Sequence, residues 1–194
     1  SRYALRPAAA GGHRRFGRFF RCDNLSDITP ADVDKVASLG IKTVIDLRTN
    51  YEADTAPDAV GEKQGIEVLH ISPLEGLVDV QNSSEEELGA LDMGALYVLM
   101  LERSAPRWRE VIGAIAEHAQ APLLFHCSAG KDRTGLTAML LLGVCGVDEA
   151  DIVADYEVSF TYISRRMHSQ LQKVFQKQAR HMVNNERYRA AGPP

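Results

Sequence analysis

Between Phe16 and Arg48 the chain passes through a short apolar run, a capped helical stretch and a second short apolar run, and this order constrains the fold more than any other feature. The middle stretch, TPADVDKVASLG, places Thr29 as N-cap, Pro30 at the first helical position and Gly40 at the stop. The flanking runs, Phe16 to Arg21 and Ile41 to Arg48, are too short for helices and read as strands. The second carries four β-branched residues ahead of a polar end. Ile66 to Ile71 and Pro122 to His126 add two more runs of this kind, bounded by turn residues. Strands alternating with helices predict an α/β domain with a small, mostly parallel sheet flanked by helices.

The rest of the chain supplies the helices. After Pro73 a loop becomes helical somewhere beyond Ser84, weakened by Gly89 and Gly94. From Ser104 onward, Trp108, Val111, Ile112, Ile115 and Ala119 share one face, suited to packing on the sheet. Another helix is expected from Thr134 and a short one after Asp148, with Cys145 an inert buried thiol in the first. Phe160, Ile163, Met167, Leu171, Val174, Gln178 and Met182 mark a long amphipathic helix over 157–183. No repeat or linker divides the chain, so 1–194 reads as one domain, with an unassigned leading segment over 1–15.

A chain of 194 residues can bury its core without disulfides or metals. Cys22, Cys127 and Cys145 are far apart, odd in number and lack a CxxC pair, so neither a disulfide framework nor a cysteine zinc site is expected. His13, His70, His118, His168 and His181 carry no metal spacing, and His70 reads as structural. No apolar stretch reaches the roughly 20 residues of a membrane span, and no secretory signal core is visible. A cytoplasmic location is therefore expected, while export by another route would leave the same pattern. The net charge of −4 hides two basic ends. Six arginines and no acid precede Asp23, and from Thr161 seven basic residues face one glutamate. Such ends read first as solvated termini and a polar helix face, and second as peripheral contact with an anionic membrane or an acidic protein; no nucleic-acid partner is expected.

The chemistry concentrates in HCSAGKDRTG, His126 to Gly135. Cys127 follows the strand PLLFH, and in parallel sheets ligands bind beyond the carboxyl ends of the strands. The loop SAGKDR before the next helix can turn backbone N–H groups inward, and with the helix N-terminus these form a cradle for a phosphate-sized anion. The same field favours the thiolate, a nucleophile. Gly130 gives the loop a conformation that a side chain would hinder. Arg133, six residues after the cysteine, can grip two phosphoryl oxygens with its planar fork. Thr134 can donate a hydrogen bond to the sulfur, and His126 reads as a loop-orienting residue. A Walker nucleotide loop fails, because Asp132 follows Lys131 and the first glycine is missing.

HCSAGKDRTG resembles the signature loop of the cysteine-dependent protein tyrosine phosphatases, and its Lys-Asp-Arg form is similar to the atypical bacterial branch that includes phosphoinositide-active enzymes. The likeness extends through GRFFRCDNLSDITPADVDKVASLGIKTVIDLRTNYEAD and covers roughly Gly17 to Tyr162. The Asn-x-Arg-Asp-Leu-Gly-Gly opening frequent in that family has no counterpart beyond Gly11-Gly12. The resemblance implies a phosphatase fold, no metal or cofactor, and a cysteinyl-phosphate intermediate. Substrate phosphate would lie among Ser128, Ala129, Gly130, Lys131, Asp132, Arg133 and Thr134. It also implies Asp132 as the proton donor. The rival is Asp92, which precedes Cys127 by 35 residues but falls in a stretch that reads helical.

The expected activity is hydrolysis of phosphotyrosine, with phosphoserine and phosphothreonine in reach. Lys131 at the rim favours a second reading, a phosphoinositide substrate. A phosphate-binding module without turnover and a rhodanese-like sulfurtransferase are the remaining alternatives. Asp46 and Arg48, at a strand's carboxyl end, either line the site or form a structural ion pair.

Overall fold

The computed structural model describes residues 17–74 and 93–161. Among them, four strands form one parallel sheet: β1 (Phe19–Cys22), β2 (Thr43–Asp46), β3 (Glu67–His70) and β4 (Leu123–His126), in the spatial order β1-β4-β2-β3. The helices are α1 (Pro30–Ser38), α2 (Asn50–Thr55), α3 (Met93–Arg103), α4 (Ala105–His118) and α5 (Asp132–Val144), and residues 149–161 are also helical (α6). Two compact units are distinguished, residues 1–156 and 157–194; in the second, only 157–161 are described. No described helix is long and apolar enough to cross a membrane.

Burial follows from strand position. The two central strands, TVID and LLFH, are buried along their whole length, whereas the edge strands β1 and β3 are partly exposed. Side chains alternate between sheet faces. Ile45, Leu123 and Phe125 therefore join Val111 and Ile115 of α4 on one face, while Val44 and Leu124 meet Leu25, Ile41 and Ile66 on the other. A third cluster, Met100, Trp108 and Leu136, joins α3, α4 and α5, and the Trp108 indole N–H donates to the Met100 carbonyl at 3.1 Å.

The register fixes where chemistry can occur. Cys22, His126, Asp46 and His70 lie side by side, so all four strands end in one row at the carboxyl edge. The loop that begins at Cys127 leaves from the middle of that row.

Helix α1 forms as its caps predict. Thr29 and Asp32 complete a capping box, Pro30 opens the helix, and Gly40 turns the chain at φ +71°. Other expectations need correction. The helix expected from Thr134 starts at Asp132, so the loop is two residues shorter. Cys145 is exposed rather than buried, because α5 ends at Val144 and the cysteine caps it. The short helix expected after Asp148 runs unbroken to residue 161. α2 was not expected at all. Asp92, the basic stretch before residue 17, His168, His181 and the 157–183 helix beyond residue 161 lie outside the described residues.

Candidate active site

The loop from Cys127 to Lys131 closes tightly because two features of Gly130 permit it. Its φ is +65°, in the left-handed region, and a Cβ there would stand 2.6 Å from the Cys22 carbonyl oxygen and 2.9 Å from the Asp23 nitrogen. The loop thus rests against the backbone at the end of β1, and the Asn24 N–H donates to the Ser128 carbonyl at 3.3 Å. At its floor Cys127 is 2% exposed. Thr134, in the first turn of α5, donates its hydroxyl to the Cys127 sulfur at 3.1 Å.

Arg133 crosses to α2. Its Nη1 donates to Glu52 Oε2 at 2.5 Å and its Nη2 to Glu52 Oε1 at 3.0 Å, while Nη1 also reaches the Leu47 carbonyl at 3.3 Å. Glu52 additionally accepts the Ser128 hydroxyl at 2.5 Å and the Thr49 N–H at 2.8 Å. The Arg133 hydrogen bond, against opposing burial and with help from Ser128 and Thr49, holds the Glu52 carboxyl well below the usual carboxylate range. Burial works against the Arg133 charge, but Glu52, Cys127 and Asp132 outweigh it and push the guanidinium pKa up. Glu52 engages the end of the guanidinium. The pair of N–H groups on its side edge, Nε–H and the second Nη2 proton, has the spacing that grips two phosphoryl oxygens.

Behind the loop lies a buried polar network. Arg48, 1% exposed, uses all five guanidinium N–H groups. Nε bonds Asp46 at 2.8 Å, Nη1 bonds Asn24 at 3.0 Å and the Ala56 carbonyl at 2.7 Å, and Nη2 bonds Asp46 at 2.7 Å and Asp58 at 2.9 Å. His126 Nε2 lies 3.0 Å from Asp58 Oδ2 and Nδ1 lies 3.2 Å from the Cys127 carbonyl. His70 Nε2 lies 2.7 Å from the Arg48 carbonyl. Asp46 and Arg48 are therefore a buried ion pair beneath the loop rather than part of its opening. Asp46, Asp58 and His126 have ligand atoms within 4.8 Å of one another, close enough for a cation. The guanidinium of Arg48 already binds both carboxylates and supplies the positive charge there.

On the other side of the loop, Asp132 Oδ1 accepts a short hydrogen bond from the Tyr97 hydroxyl of α3 and lies 3.6 Å from Lys131 Nζ. Three residues that sequence reasoning missed, Glu52, Asp58 and Tyr97, thus touch the groups it named, and a fourth, Tyr156, reaches them through the Tyr97 hydroxyl at 2.7 Å. Only Glu52 had a signal, the Thr49-x-x-Glu52 spacing of a capping box, which the structure forms.

A model of the tyrosine phosphatase family matches residues 4–191. A tyrosine-protein phosphatase of Nostoc commune is 40% identical over 75% of this chain and 49% of its own length. A triple specificity protein phosphatase of Mycobacterium tuberculosis is 32% identical over 73% of this chain and 60% of its own. The chain therefore spans about half to three fifths of the length of these relatives. Among solved structures, P. aeruginosa TpbA aligns with TM-score 0.37 and 19% identity, covering 73% of this chain and 68% of that chain.

Proposed function

The chain belongs to the tyrosine phosphatase family, and from that premise we propose that it hydrolyses phosphomonoesters of phosphorylated proteins through a cysteinyl-phosphate intermediate. The observation that carries this reading is the placement of Arg133. Glu52 holds the end of its fork, so the side edge is the part available to phosphoryl oxygens near the Cys127 sulfur.

In the first step the Cys127 thiolate attacks phosphorus in line, and the bond to the leaving oxygen breaks. The departing electron pair stays on that oxygen, which takes a proton from Asp132. The loop amides and Arg133 stabilise the equatorial oxygens. In the second step water attacks phosphorus, its proton passes to Asp132, and the sulfur leaves with its electron pair. The hydrogen bond from Thr134 to the sulfur eases that departure. His126 and Arg48 act from beneath, fixing the strand end from which the loop starts.

Phosphotyrosine is the first substrate class, supported by the name of the Nostoc relative, and the triple specificity of the Mycobacterium relative supports extending the range beyond it. Lys131, at the rim beside Asp132, supports a phosphoinositide reading. Peripheral contact with anionic membranes rests on the basic sequence ends, and a cytoplasmic location on three widely spaced cysteines that suit no disulfide framework. Release of inorganic phosphate from aryl phosphates in the presence of chelator tests the central claim. Wild type is expected to turn over and Cys127→Ser to lose activity by at least about 10⁴-fold; an active serine variant removes the nucleophile. Parallel assays on phosphotyrosine peptides, phosphoserine peptides and phosphoinositides separate the substrate classes.

A further inference from the structure

We propose that Tyr97 and Tyr156 are positioning residues for the proton transfer at Asp132, forming a two-phenol chain that fixes which carboxyl oxygen faces the leaving group. The inference rests on the reading of Asp132 as the acid.

Three helices converge here. Tyr97 comes from α3, Tyr156 from α6 and Asp132 from the first position of α5. The Tyr97 hydroxyl donates to Asp132 Oδ1, and the two phenolic oxygens are 2.7 Å apart. A hydroxyl carries one hydrogen. With the Tyr97 hydrogen spent on the carboxylate, the Tyr156 hydroxyl must donate to the Tyr97 oxygen. The rings meet edge to face, with centroids 6.2 Å apart and planes at 78°. Burial first, and then the bond to Asp132, pushes the Tyr97 pKa up, so this phenol remains a donor at neutral pH.

Gly135 gives independent geometric support. It is the fourth residue of α5, where alanine would be the better helix former. A Cβ at this position would stand 2.7 Å from Tyr156 Cδ2 and 2.8 Å from Cε2. The helix thus leaves out a methyl group where the Tyr156 ring lies.

The chemical consequence is directional. The Asp132 side chain is 38% exposed, and a carboxyl so open would rotate without a fixed partner. With Oδ1 taken by Tyr97, the transferable proton belongs on Oδ2. In the first step the Oδ2–H bond breaks as the leaving oxygen gains the proton, and the Tyr97 hydroxyl stabilises the carboxylate that forms. In the second step Oδ2 regains a proton from water, so the enzyme returns to its starting state.

The test is a set of aryl phosphates whose leaving groups run from 2,4-dinitrophenol to phenol. Asp132→Asn is expected to slow phenyl phosphate by about 10²-fold or more and the dinitrophenyl ester far less. Tyr97→Phe should show a dependence of the same sign but shallower, with about a tenfold loss on phenyl phosphate, and Tyr156→Phe and Gly135→Ala about threefold each. Adding Tyr97→Phe to Asp132→Asn should cause no further loss, because the two act as one unit. Melting temperatures establish that each variant is folded. Equal losses on all esters, or none, in folded Tyr97→Phe and Tyr156→Phe overturn the proposal while leaving Asp132 as the acid. If Asp132→Asn itself shows no leaving-group dependence, the acid assignment falls and this inference falls with it.

Discussion

Two arginines, Arg48 and Arg133, meet carboxylates within a few residues of each other in the stretch 46–58, yet they are built for different ends. Arg48 is buried beside β2, and five protein acceptors saturate its five N–H groups. Arg133, at the edge of the loop, gives Glu52 one end of its fork and keeps a second edge suited to a ligand. A guanidinium whose donors are all consumed is scaffold. One held by part of its donors is aimed. Charge alone does not tell the two apart; the donor accounting does.

The largest effect that sharpens this contrast should come from Arg48→Met. It leaves Asp46 and Asp58 buried without their cation, and denaturant unfolding should show a loss of about 3–5 kcal/mol. Arg133→Lys should behave in the opposite way. The melting temperature should stay near that of the parent, while kcat/KM falls by about 10²–10³-fold, or roughly 2.7–4 kcal/mol of transition-state stabilisation, because an ammonium cannot reproduce the fork. If Arg133→Lys instead unfolds the protein and keeps its activity, the contrast collapses. Glu52→Gln keeps the shape of the clamp but puts a donor NH2 in place of one acceptor oxygen, so one bond to Arg133 is lost and the other loses its charge assistance, and a fall of about tenfold in kcat/KM is expected from a less well aimed Arg133.

The smallest effect is in acid. Glu52 has its pKa depressed in the folded state from the ordinary 4.5, so the folded protein binds fewer protons than the unfolded chain. Its contribution is therefore fully present above that value and is lost as the pH falls further. Unfolding measured from pH 6 downward should show a steeper decline in the parent than in Glu52→Gln, by at most about 1.4 kcal/mol per pH unit. Parallel curves would remove Glu52 from the clamp.

Local chemistry made much of this molecule legible in advance. The capped helix α1, the four short apolar runs, the left-handed Gly130 and the Thr134 bond to the Cys127 sulfur all depend on residues close together in the chain. α2 escaped because six residues are too few for a helical period to show. With it went Glu52, although its capping spacing was on view. The early start of α5 at Asp132 escaped because its first residues, Asp132 and Arg133, are polar and read as loop. Tyr97 and Tyr156 were beyond reach for another reason. They lie 35 and 24 residues from Asp132 in sequence, and only the convergence of three helices brings them to it.

The Glu52 clamp also governs how an anion first senses this opening. Arg133 is matched by Glu52 at 2.5 Å, so this pair sums to zero. Its field cancels within a few ångströms, shorter than the ~8 Å screening distance of physiological salt. Attraction to this guanidinium then begins only when a phosphate reaches its second edge. The share of capture that Arg133 supplies should accordingly depend on shape and contact, and change little between dilute buffer and brine.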